Sequence, residues 1–264
     1  MSTRLYGSPV RKLLAPFVDA VDWVALKRAD AVRALSPYTA RLAADVRGEP
    51  VAAEIPTYTD LEAFTSAPLH PLPQRPTALF VGALESYKNV DGLVAAWPQV
   101  VRRVPDARLV VVGQGSRRNL VEQLLAELPS SVEHVPELAP SGVAEALDDA
   151  TVLVLPSRFE GLGRVVIESF ARGRGVVGAR AGGILDLVEE GRQGLLVDPE
   201  DVERLSDVLV RVLSDRSLAE RLGAAAAESY PAWHSTPEGF ASRYRALVDA
   251  TCLLSPLGND PGAR

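Results

Sequence analysis

At 264 residues, with 47% hydrophobic and 23% charged residues, the chain has the composition of a folded globular protein and the length for one large or two smaller domains. A net charge of −6 argues against a generic nucleic-acid binder, which needs a basic face to neutralise phosphates, though not against a small basic pocket. The single cysteine, Cys252, excludes an internal disulfide and any multi-cysteine metal site, as suits a reducing compartment. No apolar run reaches the roughly 18 residues that span a bilayer. Met1 to Val10 has no signal-peptide pattern, so a cytoplasmic chain is expected, with at most peripheral contact at the inner membrane face.

Three regions follow in chain order, with boundaries near residues 75 and 230. In residues 1–75, Leu13, Leu14, Phe17, Val18, Val21, Val24 and Leu26 recur at helical spacing up to the Lys27-Arg28 pair. Asp19 and Asp22 on that helix favour ordinary packing over a membrane surface. Ala31 to Leu35 and Val51 to Ile55 read as short strands, and Ser36-Pro37 as the start of a helix reaching Val46. The piece Ala67 to Pro73 holds three prolines in seven residues, which denies it helix or ladder bonds, and reads as a linker.

Residues 76–230 change to short apolar runs separated by amphipathic helices. Strands are expected at Ala78–Val81, Arg108–Val112, Val152–Leu155, Val176–Val177 and Leu195–Val197. Helices are expected over about 89–103, 116–128, 141–149, 163–173, 184–190 and 201–213. Apolar strands joined by helices imply a doubly wound, Rossmann-like α/β domain with a parallel sheet, whose ligands sit at the carboxyl ends of the strands. Residues 231–264 follow as a closing helix and tail, after a break around Pro231 to Pro237.

Chemistry concentrates in the string Pro156-Ser157-Arg158-Phe159-Glu160-Gly161-Leu162-Gly163-Arg164-Val165-Val166-Ile167-Glu168, which follows a buried strand and opens a helix. Gly161 and Gly163 let backbone amides approach a ligand, and the helix start adds partial positive charge for a phosphate. Glu160 lies before the helix and Glu168 about five residues inside it, so both can face one cleft. For an arbitrary pair of glutamates, a helix cap and a solvated surface residue would be the ordinary reading. The strand, glycine loop and helix around this pair favour a site.

This string, continued by Ala171-Arg172-Gly173-Arg174-Gly175 and Gly182-Gly183-Ile184-Leu185-Asp186, resembles the donor domain of family-4 retaining glycosyltransferases of the GT-B fold. The likeness runs from about Ala78 to Leu213. It implies that Glu160 holds hydroxyls of the transferred sugar, that Glu168 holds the ribose hydroxyls, and that the Gly163 and Arg164 amides face the diphosphate. Gly161 and Leu162 complete that loop. Phe80-Val81-Gly82-Ala83-Leu84 and Lys88-Asn89 resemble the first strand and phosphate-binding loop, with Lys88 as the cation for the leaving group. Ala83 stands where many relatives have arginine. Gly113 and Gly115 end the second strand, where either a nucleoside packs on bare backbone or a tight turn needs glycine. By the same resemblance Glu137 and Leu138 align with the segment whose backbone meets the base, and His134 reads as a core or rim residue.

The resemblance implies a metal-independent hexosyl-type transferase that uses a UDP- or GDP-sugar donor, an unidentified acceptor and no cofactor, in polysaccharide or glycolipid biosynthesis. Residues 1–75 resemble only the tail of the family's first, acceptor-binding domain, and its glycine-rich loop is not among them. The competing expectation is a nucleotide-sugar-binding module or split-enzyme subunit, inactive alone, with a protein partner that supplies the acceptor domain. No metal site is expected.

Overall fold

The computed structural model describes residues 9–254, with side chains over 16–252. The reading of Met1 to Ser8, and the side chains of Leu13 and Leu14, lie outside it. The chain divides into two compact units, Met1–Thr59 with His234–Arg264, and Asp60–Trp233.

The smaller unit begins with α1 (Pro9–Arg28), β1 (Arg33–Ala34), α2 (Pro37–Arg47) and β2 (Ala53–Glu54). Ser36 and Thr39 cap α2 reciprocally. Ser36 Oγ accepts from Thr39 N at 3.2 Å and Thr39 Oγ1 accepts from Ser36 N at 2.9 Å, with Pro37 at the first helical position. The expected strands are present but pair over only two residues, in parallel, with Arg33 opposite Ala53. Arg33 lies 5.5 Å from the ring centres of both Phe240 and Tyr244, which ties the last helix, Pro237–Leu254, to β1. The ordinary packing expected of α1 is not found on one face: Phe17 is 71% and Trp23 54% exposed.

The larger unit runs α3 (Glu62–Thr65), β3 (Thr77–Val81), α4 (Val90–Arg103), β4 (Arg108–Val112), α5 (Arg118–Glu127), β5 (Val132–Val135), α6 (Pro140–Asp148), β6 (Val152–Leu155), α7 (Arg164–Ala171), β7 (Val176–Ala179), α8 (Ile184–Leu187), β8 (Gly194–Val197), α9 (Val202–Ser214) and α10 (Arg216–Ser229). Its six strands form one parallel sheet in the order β5-β4-β3-β6-β7-β8. All four residues of β6 are buried, and successive side chains point to opposite faces, so both faces of this strand are covered. Trp97, Phe80, Phe170 and Leu153 are among the fully buried side chains of the core. Each such residue contributes about 1.5–3 kcal/mol of burial.

An edge strand and a unit boundary depart from the sequence reading. The sixth strand, β5, carries Glu133 and His134 and sits at the sheet edge, so it lacks the continuous apolar run that marks the other five. Residues 60–75, expected with the first region, belong to the larger unit. The proline-rich piece in them has no regular structure, yet it is a fixed strap. Arg172 donates to the carbonyls of Phe64, Ala67 and Pro68 at 3.1, 2.9 and 2.8 Å, and Arg174 to those of His70 and Pro71 at 3.0 and 3.2 Å. Prolines lack amides, so the strap carries more acceptors than donors, and the two arginines supply what it lacks.

Candidate functional site

The strand order reverses its direction of travel at β3 and β6. From β3 the chain steps outward to β4 and β5, and from β6 it steps the other way to β7 and β8. Their carboxyl-end loops therefore part and leave a crevice, the place where open α/β sheets bind ligands. Lys88 comes from the loop after β3 and Glu160 from the loop after β6.

Lys88 ends a single 3₁₀ turn, Ser86–Lys88. Asn89 follows in the left-handed conformation, fully buried, with φ of 57°. Its side chain accepts from Gly92 N at 3.2 Å, which caps α4, and donates to the Pro199 carbonyl at 2.6 Å. So anchored, Lys88 Nζ donates to Glu160 Oε1, and the pair is mostly shielded, with side-chain exposures of 14% and 10%. Ser157 Oγ donates to the same oxygen at 3.0 Å. The Glu160 backbone is fixed from below, because Gly183 N donates to its carbonyl at 2.8 Å. Gly182, with φ of 62°, lies so close that a Cβ there would stand 2.4 Å from the Glu160 carbonyl oxygen.

Gly161, Leu162 and Gly163 lead from this loop into α7. Gly163 is its N-cap, and no side chain caps the first turn. The Leu162 side chain is buried in the core, so only its backbone is available to a ligand. Within α7, burial lifts the Glu168 carboxyl above the usual carboxylate range, and Arg164, 3.8 Å away, opposes the shift. Arg164 itself is more than half exposed.

Beside the pair, a cleft of about 360 Å³ opens at the ends of β3, β4 and β5, lined in part by Gly82, Ala83, Gly113, Gln114, Glu137 and Leu138. A Cβ on Gly82 would meet Lys88 Cε at 3.6 Å, so cleft and ion pair adjoin. Of the two turn glycines, Gly115 is not among the cleft-lining residues. Both are explained by backbone crossing: a Cβ on Gly113 would stand 1.9 Å from the Gly82 carbonyl oxygen, and one on Gly115 2.5 Å from that of Leu84. The His134 ring nitrogen Nε2 bonds the Gly113 carbonyl at 2.9 Å, a structural contact at the rim.

One residue of the site passed unremarked in the sequence. Arg158 forks onto Asp91 at 3.0 and 2.9 Å, and donates to Glu200 at 2.5 Å and to the Ser86 carbonyl at 2.8 Å. Burial would raise the Asp91 carboxyl, but hydrogen bonding and charge from Arg158 outweigh it and hold the group below its ordinary value. No spacing rule signals such a partner choice. Among the described residues no group of three or more His, Cys, Asp or Glu is placed to hold a metal ion, and no helix is long and apolar enough to cross a membrane.

Residues 65–229 match the family model described as glycosyl transferases group 1. The chain is 34% identical over 159 residues to the sulfoquinovosyl transferase SQD2 of Arabidopsis thaliana, which covers 59% of this chain and 30% of that one. It is 32% identical over 222 residues to the GDP-mannose-dependent alpha-(1-6)-phosphatidylinositol monomannoside mannosyltransferase of Mycobacterium tuberculosis, covering 75% and 56%. The chain thus spans about a third to a half of the length of these relatives. Among solved structures, sucrose-phosphate synthase from Thermosynechococcus elongatus superimposes with a TM-score of 0.73 at 27% identity, over 94% of this chain and 64% of that one. The shared architecture is the GT-B fold that the sequence resemblance implied.

Proposed function

The chain belongs to the glycosyl transferases group 1, and from that premise we propose that it forms the donor site of a retaining, metal-independent transfer from a UDP- or GDP-sugar. The observation that carries this reading is the shielded Lys88–Glu160 pair in the crevice between β3 and β6. A cation beside a carboxylate, next to a cleft of nucleoside size, supplies the two functions that such a donor needs.

In this reading the base and ribose enter the cleft beside Gly82, Gly113, Glu137 and Leu138, and Glu168 accepts from the ribose hydroxyls. The diphosphate takes Lys88 away from Glu160 and rests against the first-turn amides of α7. Glu160, so released, accepts from hydroxyls of the transferred sugar. The bond from the sugar's anomeric carbon to the phosphate oxygen breaks, and its electron pair stays on that oxygen, where Lys88 stabilises it. The acceptor oxygen bonds the same carbon from the same face, and its proton passes to the departing phosphate.

The test uses this chain with saturating UDP-glucose or GDP-mannose and follows release of the nucleoside diphosphate. Glu160→Ala is expected to lower release about 10²–10³-fold while diphosphate affinity stays near that of the parent. Normal release by Glu160→Ala overturns the assignment. Because the chain spans only part of its relatives' length, a second reading is a donor-binding module that is inactive alone. Saturable nucleotide binding without release is its expected signature.

A further inference from the structure

We propose that Arg158 is a positioning residue that sets where the Lys88 ammonium stands, and through it the affinity for the terminal phosphate of a nucleoside diphosphate. The proposal rests on the donor-site reading above.

The turn that carries Lys88 presents two successive carbonyls to Arg158. Its guanidinium donates to that of Ser86 at 2.8 Å, and its backbone amide to that of Tyr87, also at 2.8 Å. The same guanidinium forks onto Asp91 in the first turn of α4 and reaches Glu200 in the loop after β8. Three segments therefore meet on one side chain, which is only 14% exposed. Asn89 holds the turn from its other end through the Pro199 carbonyl. Lys88, between these two anchors, has a fixed backbone from which its flexible stem reaches Glu160. Arg158 lies two residues before Glu160, so one loop both presents the carboxylate and clamps the turn bearing its cationic partner.

Arg158 does not act on the ligand directly. A guanidinium has five N–H donors. Nε is taken by Glu200, Nη1 by Ser86 and Asp91, and Nη2 by Asp91 with a longer contact to Glu200 at 3.5 Å. Its charge is balanced by the two carboxylates, and what it contributes is geometry. A lysine there keeps the charge and loses the planar fork.

The experiment is calorimetric titration of the full chain with UDP and UMP, and with GDP and GMP, read as the ratio of diphosphate to monophosphate affinity. Lys88→Ala is expected to lower that ratio about tenfold, the loss of one charge-assisted contact. Arg158→Lys is expected to lower it about threefold or more with monophosphate affinity unchanged. The double variant is expected to be no weaker than Lys88→Ala alone, because Arg158 acts through Lys88. Should Arg158→Lys fold poorly, Glu200→Ala removes one arm of the clamp and shifts the ratio in the same direction by less. Equal weakening of mono- and diphosphate binding by Arg158→Lys overturns the proposal, as does a double variant whose losses multiply. A ratio untouched by Lys88→Ala overturns the donor-site reading itself.

Discussion

Two charged networks occupy opposite ends of the same sheet, and they differ in what their charges face. At the amino ends of β6 and β7, Arg172 is 1% exposed and forks onto Asp148 with both contacts at 2.8 Å, its other donors going to strap carbonyls. Arg174 beside it bonds main-chain carbonyls, and burial holds its guanidinium below the usual value, with Asp148 opposing. Fixed main-chain acceptors have no alternative partner, so this end is frame. At the carboxyl ends, Lys88 and Glu160 bond each other, and Arg164 stands near Glu168. An ion pair of side chains can be exchanged for a ligand's charges without unmaking the fold. The contrast teaches where this chain stores stability and where it keeps charge available.

The largest expected effect breaks the frame. Arg172→Ala leaves Asp148 without its forked partner and several strap carbonyls without donors, so unfolding free energy should fall by about 3–5 kcal/mol in denaturant titration. A loss within experimental error would place the two networks on equal footing and remove the distinction.

A smaller effect of opposite sign sharpens it at the other end. Glu168 has its carboxyl raised by burial, with Arg164 opposing. A raised carboxyl contributes stability in its neutral form, fully present below the unfolded value and lost as pH rises through the folded one. Glu168→Gln stays neutral at every pH. It should therefore raise the melting temperature at neutral pH and leave it unchanged below about pH 4, the ordinary range of the group. The same change weakens an acceptor for ribose hydroxyls, so nucleotide affinity should drop about five- to tenfold. A variant that melts lower at neutral pH and binds as before would contradict both halves.

Much of this was legible beforehand where the signal was local. The apolar runs at Ala78, Arg108 and Val152 lie in strands and Ser36 and Pro37 start a helix, whereas the nomination of Lys88 and Glu160 rests on the family resemblance and not on spacing. Edge strand β5 was not legible, because half-exposed strands carry polar residues. The helix expected over 184–190 ends at Leu187, where Val188 turns extended, a tertiary choice made as the chain enters β8. Arg158, Arg172 and Arg174 stood in plain view as charges. Their partners lie 24 to 108 positions away, and one-dimensional spacing does not encode such pairings. Gly113 and Gly115 stand out in the sequence as a nucleoside platform or a tight turn, whereas the backbone crossing that demands them appears only with the fold.

The most direct test of the donor site is amide hydrogen exchange of the chain with and without saturating UDP or GDP. Slowed exchange is expected in the segments 82–88, 113–116, 137–138 and 160–168, with the strap over residues 67–73 unchanged. Protection confined to other segments, or none at saturation with either nucleotide, would contradict the account.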